Sequence, residues 1–443
     1  MNLALPRSIA RFLGSWLSRI HFRDCVEPAS TGMPWSRRDW WVLAVGSLGF
    51  GLIMGLRTRS QPVLLLDARS TNVLFDADCP QVFQMMSRAK TVQDFRTQVH
   101  PLFPLVTFPV VRSGIKLGMP PLTAVGVLNG LTAAIWLALL YVTIRRLGCS
   151  PGTGMIIAAL GASSASAFYF FAIPETYALS SVSLLVPLYV ATRTGEARNR
   201  ERLLVAASAA SLCITVTDWL SGLLLTGCRV GWRRGMQLTA NALAVVAVLS
   251  ALQARLFPLS HSFLEKAYAE KFVAMPSLGH GASVFNSFFF HTLVAPRCTV
   301  VHFDSTPANA LTVQTSIPGS ATPWGALAVV LWAAFLLAGA RRLLLDRELA
   351  KLRPVLGGLI VAQFLLHLWF GQETFLYSLH FLPLLLLLAA CGCRTTRRPW
   401  VLPLLAVLVG LTLANNLAHE RGISAHLTRE LARLSSWQAV PSR

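Results

Sequence analysis

Charge is what this chain has least of. Asp, Glu, Lys and Arg make up 13% of its 443 residues, about half the share of a soluble globular protein. Acidic residues are the scarcest, 19 Asp and Glu against 39 Lys and Arg, and the formal net charge is +20. A balance this basic can mark a nucleic-acid binder. Here the arginines stand in short tracts between apolar runs, a placement that charge sorting across a bilayer explains directly, so no nucleic-acid partner is expected. Cysteine is sparse as well, and eight in 443 residues make no disulfide framework. Internal repeats, low-complexity tracts, a soluble domain and a glycine-rich nucleotide loop are missing too. The first 40 residues lack the unbroken apolar core and small-residue cleavage site of a signal peptide.

What the chain has is apolar length. It is 54% hydrophobic, with a mean hydropathy of +0.56. Lipid offers the backbone no hydrogen bonds, so only helices or a closed barrel can span it. The apolar segments are long unbroken runs of Leu, Ala and Val rather than short alternating ones, which selects helices. A span needs about 20 apolar residues. On that measure spans are predicted near 40–56, 121–144, 152–172, 176–192, 203–217, 219–229, 237–256, 323–340, 355–371, 376–393 and 399–416. The expectation is therefore an all-α polytopic membrane protein of about eleven transmembrane helices with juxtamembrane amphipathic helices outside.

The loops sort by charge. Arg145-Arg146, the arginines of 193–202, Arg229/Arg233/Arg234, the cluster 341–353 and Arg394/Arg397/Arg398 fall in every second loop. Between them come Pro174-Glu175-Thr176, Thr217-Asp218, the long loop 257–322 and Gln372-Glu373-Thr374. Cationic loops stay inside, which places the N-terminus in the cytoplasm and the C-terminus on the exterior of an inner (plasma) membrane. Residues 1–39 are then a cytoplasmic basic segment, with an interfacial helix expected over 3–23. Residues 40–416 are the membrane domain, with exterior loops 57–120 and 257–322, and 417–443 an exterior tail formed by one short amphipathic helix. Within the first loop, 101–118 carries Arg112 and Lys116 and is expected on the outer surface or partly inserted. In the second, 261–272 is expected to be an interfacial helix. Cys79 and Cys298 fall in the two exterior loops, where they could pair. Cys391-Gly-Cys393 has no second ligand pair and reads as two small residues at a helix end.

The residues able to do chemistry gather on the exterior side. Asp76-Ala77-Asp78 gives two carboxylates just past the first span, suited to a general base and a partner for phosphate or a divalent ion. His100-Pro101 suits a helix start, with the histidine as a phosphate donor or a cap. Glu175 sits in a Pro-Glu-Thr-Tyr turn before Tyr177, at a helix start that favours a carboxylate. Asp218 interrupts an apolar run, and an acid at membrane depth is a functional hypothesis by default. Glu373, Tyr377 and His380 recur at i, i+4 and i+7, so one helix would set them on one face. Part of this sidedness is only the topology rule driving acids outward.

In layout the chain resembles the GT-C class of glycosyltransferases: a first span, a large exterior loop with an acidic pair (Asp76, Asp78), surface helices opening at His100-Pro101-Leu102, the Pro174-Glu175-Thr176-Tyr177 turn, and a second large exterior loop. The resemblance covers roughly 40–390 and rests on short motifs. It implies transfer of a sugar from a polyprenyl-phosphate donor to a glycan, lipid or protein acceptor at the exterior face. A first-loop carboxylate would be the catalytic base, Asp78 in preference to Asp76 because Asp78-Cys79-Pro80 leads into a helix-like stretch. Arg96, His100, Glu175, Tyr177, Asp218, Glu373, Tyr377 and His380 would bind substrate. Related chains often carry Asn after Thr where this one has Asp218, which departs from the pattern. No cofactor and no metal are assigned, although Asp76-x-Asp78 could take a divalent ion. Three other classes stay open, the blandest a non-catalytic membrane scaffold. A polysaccharide polymerase or ligase would rely on exterior arginines such as Arg88, Arg96 and Arg297, and a secondary transporter would use Asp218.

Overall fold

The computed structural model describes residues 35–66, 72–89, 95–193, 200–265, 277–302, 308–394 and 399–438. The expected helix over 3–23 and Cys25 lie outside them. Within them the fold is all-helical but for one two-stranded antiparallel ribbon, β1 (Thr299–Val301) with β2 (Ala310–Thr312).

The first rod, α1, runs without a break through Arg37–Trp41, a π-helical turn Val42–Gly46 and Ser47–Arg59. The first loop carries α2 (Cys79–Ser87) and α3 (Phe103–Lys116). Then follow α4 (Pro121–Arg146), α5 (Pro151–Ser163), α6 (Ala165–Phe170), α7 (Tyr177–Thr192), α8 (Arg200–Ile214), α9 (Trp219–Val230) and α10 (Trp232–Leu256). The second loop holds α11 (Leu278–Asn286) and the ribbon. The chain closes with α12 (Pro323–Leu345), α13 (Arg353–Trp369), α14 (Ser378–Cys393) and α15 (Val401–Gln438).

Among the described residues, six helices are long and apolar enough to cross a membrane: Asp39–Arg59, Pro121–Arg146, Trp232–Leu256, Pro323–Leu345, Thr374–Cys393 and Val401–Leu434. Three shorter apolar helices, Pro151–Ser163, Tyr177–Thr192 and Arg353–Trp369, pack among them. The outer rods expose what a soluble protein hides, with Val248 on α10 69% exposed and Leu337 on α12 72% exposed. The helix α14 is apolar all round and buried nearly throughout, so it forms the hub. The chain is a helical membrane protein.

Small residues let the first two long rods touch. A Cβ on Gly51 would stand 2.5 Å from the Gly130 carbonyl oxygen, and one on Gly55 2.8 Å from that of Gly126. Both pairs are spaced by four, so the backbones of α1 and α4 meet along two facing Gly-x-x-x-Gly ridges. This contact fixes where α1 delivers the first loop.

Several boundaries differ from the sequence reading. The span expected at 152–172 breaks at Ser164, which caps α6 through its hydroxyl. The break is filled by the second loop: the amides of Ala165 and Ser166 donate to the carbonyls of Leu293 (2.9 Å) and Thr292 (3.1 Å). Asn416 locks this junction, its amide donating to Ser163 and Leu293. Irregular backbone is tolerated at such depth only when satisfied by protein. The expected tail helix is not separate, because α15 carries the last apolar stretch straight on to Gln438. The stretch 101–118 is a helix as expected. Of the interfacial helix expected at 261–272, residues 261–265 form a turn and the rest lies outside the described residues. Cys79 and Cys298 are both free thiols. Cys79 is buried at the start of α2, while the Cys298 sulfur lies 3.1 Å from His419 Nε2, so the pairing is corrected.

Candidate functional site

The first loop is pinned against a helix break. Between α8 and α9 the chain opens at Thr215 and passes through a short 3-10 turn, Val216–Asp218. The Val216 amide donates to the Val99 carbonyl (3.0 Å) and the Leu102 amide to that of Cys213 (2.8 Å). A cavity of about 270 Å³ forms where this break, the first loop and the near ends of α7, α13 and α14 converge. Its wall includes Asp76, Asp78, Arg96, His100, Tyr177, Tyr377 and His380. The wall also includes the apolar Phe263, Leu366 and Phe370.

The acidic pair divides into two roles. Asp78, one-quarter exposed, is ion-paired to Arg96, and its own amide donates to Glu175 Oε2 at 3.2 Å. Arg96 also lies 4.0 Å from Glu175 Oε1 and donates through Nε to Gln81 at 3.2 Å. Asp76 has no hydrogen bond or ion pair among the described residues. It is presented by strained backbone, since Phe75 and Asp76 hold φ of 53° and 61°, in the left-handed region that bulky residues avoid. The surroundings enforce this. The Phe75 amide donates to the Leu311 carbonyl at 2.9 Å, and the Leu311 amide to Val73 at 2.8 Å. The Phe75 ring is wedged among Tyr169, Phe170 and Phe375. Strain of this kind costs of order 1–3 kcal/mol per residue and persists where the structure over-determines it, often at functional sites.

Burial and neighbouring charge set the proton affinities here. Burial raises the Asp76 carboxyl to about 6, with Arg96 opposing and Glu175 adding to the rise. Glu175, fully enclosed, is raised by burial against the pull of Arg96 and two Thr176 hydrogen bonds. Burial pushes Glu373 up to about 8, against the Thr312 hydroxyl that donates to it. His100 is lowered to about 3 by burial, then by Arg96, and stays neutral. Its Nδ1 lies 3.0 Å from the Ile214 carbonyl and its Nε2 3.2 Å from the Thr176 hydroxyl, so both nitrogens are engaged within the protein.

Seven of the ten residues singled out in the sequence line one cavity. Glu175, Asp218 and Glu373 stand behind it, all buried. Asp218 Oδ1 is 3.2 Å from His380 Nδ1, while Asp218 Oδ2 and His380 Nε2 are buried without a partner among the described residues. The expected one-face stripe does not form. Glu373 precedes the helix in extended backbone and a 3-10 turn, Thr374–Tyr377, intervenes. Glu373 therefore faces β2, and only Tyr377 and His380 reach the cavity. Sequence reading missed Thr215, Gln98 and His367 in the wall, and Gln363 beside Asp218. Gln363 and His367 sit at i and i+4 in an otherwise apolar span, a legible signal. Of the exterior arginines weighed, Arg96 alone is in this wall; Arg297 lies elsewhere. Among the described residues no group of three His, Cys, Asp or Glu is placed to hold a metal ion. Comparison with protein-family models, curated proteins and solved structures finds no match for this chain.

Proposed function

We propose that this chain is a membrane glycosyltransferase of the GT-C kind, with Asp76 as the general base. The observation that carries the reading is the Asp76 carboxylate, which has no hydrogen bond or ion pair among the described residues and is held in strained backbone on a cavity whose other polar groups include Asp78, Glu265, Arg96, histidines and tyrosines. A base near neutrality must be both unpaired and of raised proton affinity, and burial gives Asp76 that rise. Asp78 then serves to hold Arg96. In the reaction Asp76 takes the proton of an acceptor hydroxyl or amine as that atom attacks the anomeric carbon. The bond from that carbon to the phosphate oxygen breaks, and the polyprenyl phosphate leaves with the electron pair. Arg96 is the nearby cation for its charge. The apolar side chains of Phe263, Leu366 and Phe370 suit the first isoprene units.

The reading takes eleven membrane crossings, N-terminus cytoplasmic and C-terminus exterior, in an inner membrane. What supports it is that Tyr177 at the start of α7 and Thr215 just past the end of α8 both line the cavity. The test is release of polyprenyl phosphate from polyprenyl-phosphate-linked sugars by the purified protein in lipid, compared with Asp76→Asn. Equal release by the two proteins would sink the proposal. A secondary transporter is the second reading, favoured by the buried Asp218–His380 pair with its two atoms unpartnered among the described residues. Substrate flux into proteoliposomes without sugar transfer would select it.

A further inference from the structure

A second groove lies at the far end of the bundle from Asp76, between α12, α14 and α15, with a volume of about 620 Å³. Its floor is apolar, with Leu331 and Phe335 on α12 and Leu404 on α15, and Ala334 and Ala338 keep it open. One end is rimmed by Arg341, Arg342 and Arg347, with Trp400 beside them. From Leu331 to Arg342 the α12 wall rises about 16 Å. That matches the hydrocarbon depth of one leaflet, half of about 30 Å, and it sets the arginines and the tryptophan at headgroup level.

The charges at the rim do not cancel. Asp346 is the carboxylate there, and it is shared by Arg342 at 3.7 Å and Arg394 at 3.4 Å. Glu348 is taken by Arg394. Arg341 and Arg347 make no ion pair among the described residues. A groove one leaflet deep, apolar along its floor and cationic at its mouth, complements a molecule with an acyl chain and a phosphate. We propose that it is a binding site for an anionic phospholipid, one acyl chain lying between α12 and α15 and the headgroup phosphate against Arg341 and Arg347. The site is separate from the cavity and does not depend on the activity assigned to it.

The test is lipid retention by the full chain in mild detergent, read by native mass spectrometry after exposure to phosphatidylglycerol or phosphatidylcholine. Wild type should retain phosphatidylglycerol in about tenfold preference or more, the scale expected of two arginines near a headgroup. Arg341→Gln/Arg347→Gln should abolish the preference, and Ala338→Trp, which fills the trough without touching charge, should lower retention of both lipids. Excess glycerol 3-phosphate should displace nothing. Equal retention of the two lipids by wild type, an unchanged preference in the arginine variant, or displacement by glycerol 3-phosphate alone would each overturn the assignment. Unaltered thermal unfolding of the arginine variant keeps its result interpretable if Ala338→Trp fails to fold.

Discussion

The two ends of the bundle hold their buried acids in opposite ways, although the end where α1 begins also leaves the Nε atoms of Arg146 and Arg394 buried without a partner among the described residues. At the end where α1 begins, Asp39 accepts from the Tyr141 hydroxyl at 2.6 Å, from Arg145 Nε at 2.5 Å, and from the amide and hydroxyl of Ser36. Arg145 adds the Cys149 carbonyl. Both oxygens of the acid are spoken for. At the cavity end, among the described residues, Asp76 makes no hydrogen bond or ion pair, and Asp218, Gln363, His367, Glu373, Ser378 and His380 each leave at least one buried polar atom without a partner. Buried polar groups in native proteins are nearly always satisfied. A closed network needs nothing further and is explained by folding alone. An open one is explained by something that arrives, a substrate or ordered water. The same residue types thus read as structure at one end and as site at the other.

The contrast breaks most sharply at Asp76. Asp76→Asn should lower sugar transfer by about 10²–10⁴, the usual contribution of a positioned general base, with thermal unfolding unchanged. A variant that loses stability along with activity would return Asp76 to the structural class. Next comes the opposite end, where Asp39→Ala should leave the transfer rate per folded molecule intact. It should cost about 3 kcal/mol, because Arg145 is left buried and uncompensated. The measurement is thermal unfolding in detergent, and Asp39→Ala/Arg145→Ala should cost less than the two single changes summed.

A smaller effect concerns pH. If Asp76 is the base, transfer needs it ionised, and burial raises its carboxyl to about 6. The rate should fall as pH drops through that value. Glu175 adds to the rise through its charge, so Glu175→Gln should move this limb toward lower pH. A limb that stays in place would show that burial alone sets the proton affinity of Asp76.

The membrane-helix character was legible because lipid imposes long apolar runs, and the first-loop acids were legible because they interrupt such composition. What the sequence reading could not reach was the relation between parts. Nothing local distinguishes Asp76 from Asp78. The difference arises from Leu311, more than 230 positions away, which forces Phe75 and Asp76 into left-handed backbone. The break at Ser164 falls in a run of small residues, Gly161-Ala162-Ser163-Ser164-Ala165-Ser166, which does not by itself end a membrane helix, and the partners that satisfy the open amides come from Thr292 and Leu293. The facing glycines of α1 and α4 were readable in principle, as Gly51-x-x-x-Gly55 and Gly126-x-x-x-Gly130. Their meaning appears only when the two helices are set side by side.

The finest probe of the contrast is Glu373, which borders the open region with Oε2 bound by the Thr312 hydroxyl and Oε1 without a partner among the described residues. Burial raises its carboxyl from 4.5 to about 8, so at neutral pH it is protonated and accepts from the Thr312 hydroxyl. A group bound more tightly to its proton in the folded state stabilises fully below its unfolded value. That contribution is lost as pH rises through the folded value. Wild-type stability should therefore decline between about pH 4.5 and 8. Glu373→Gln, neutral throughout and able to keep the Thr312 bond, should unfold like wild type near pH 5 and lack the decline. Glu373→Ala strands the Thr312 hydroxyl and should cost about 1–3 kcal/mol. If Glu373→Gln instead follows the wild-type decline, the proton sits elsewhere in the cluster, and the boundary between its closed and open parts moves to Asp76 itself.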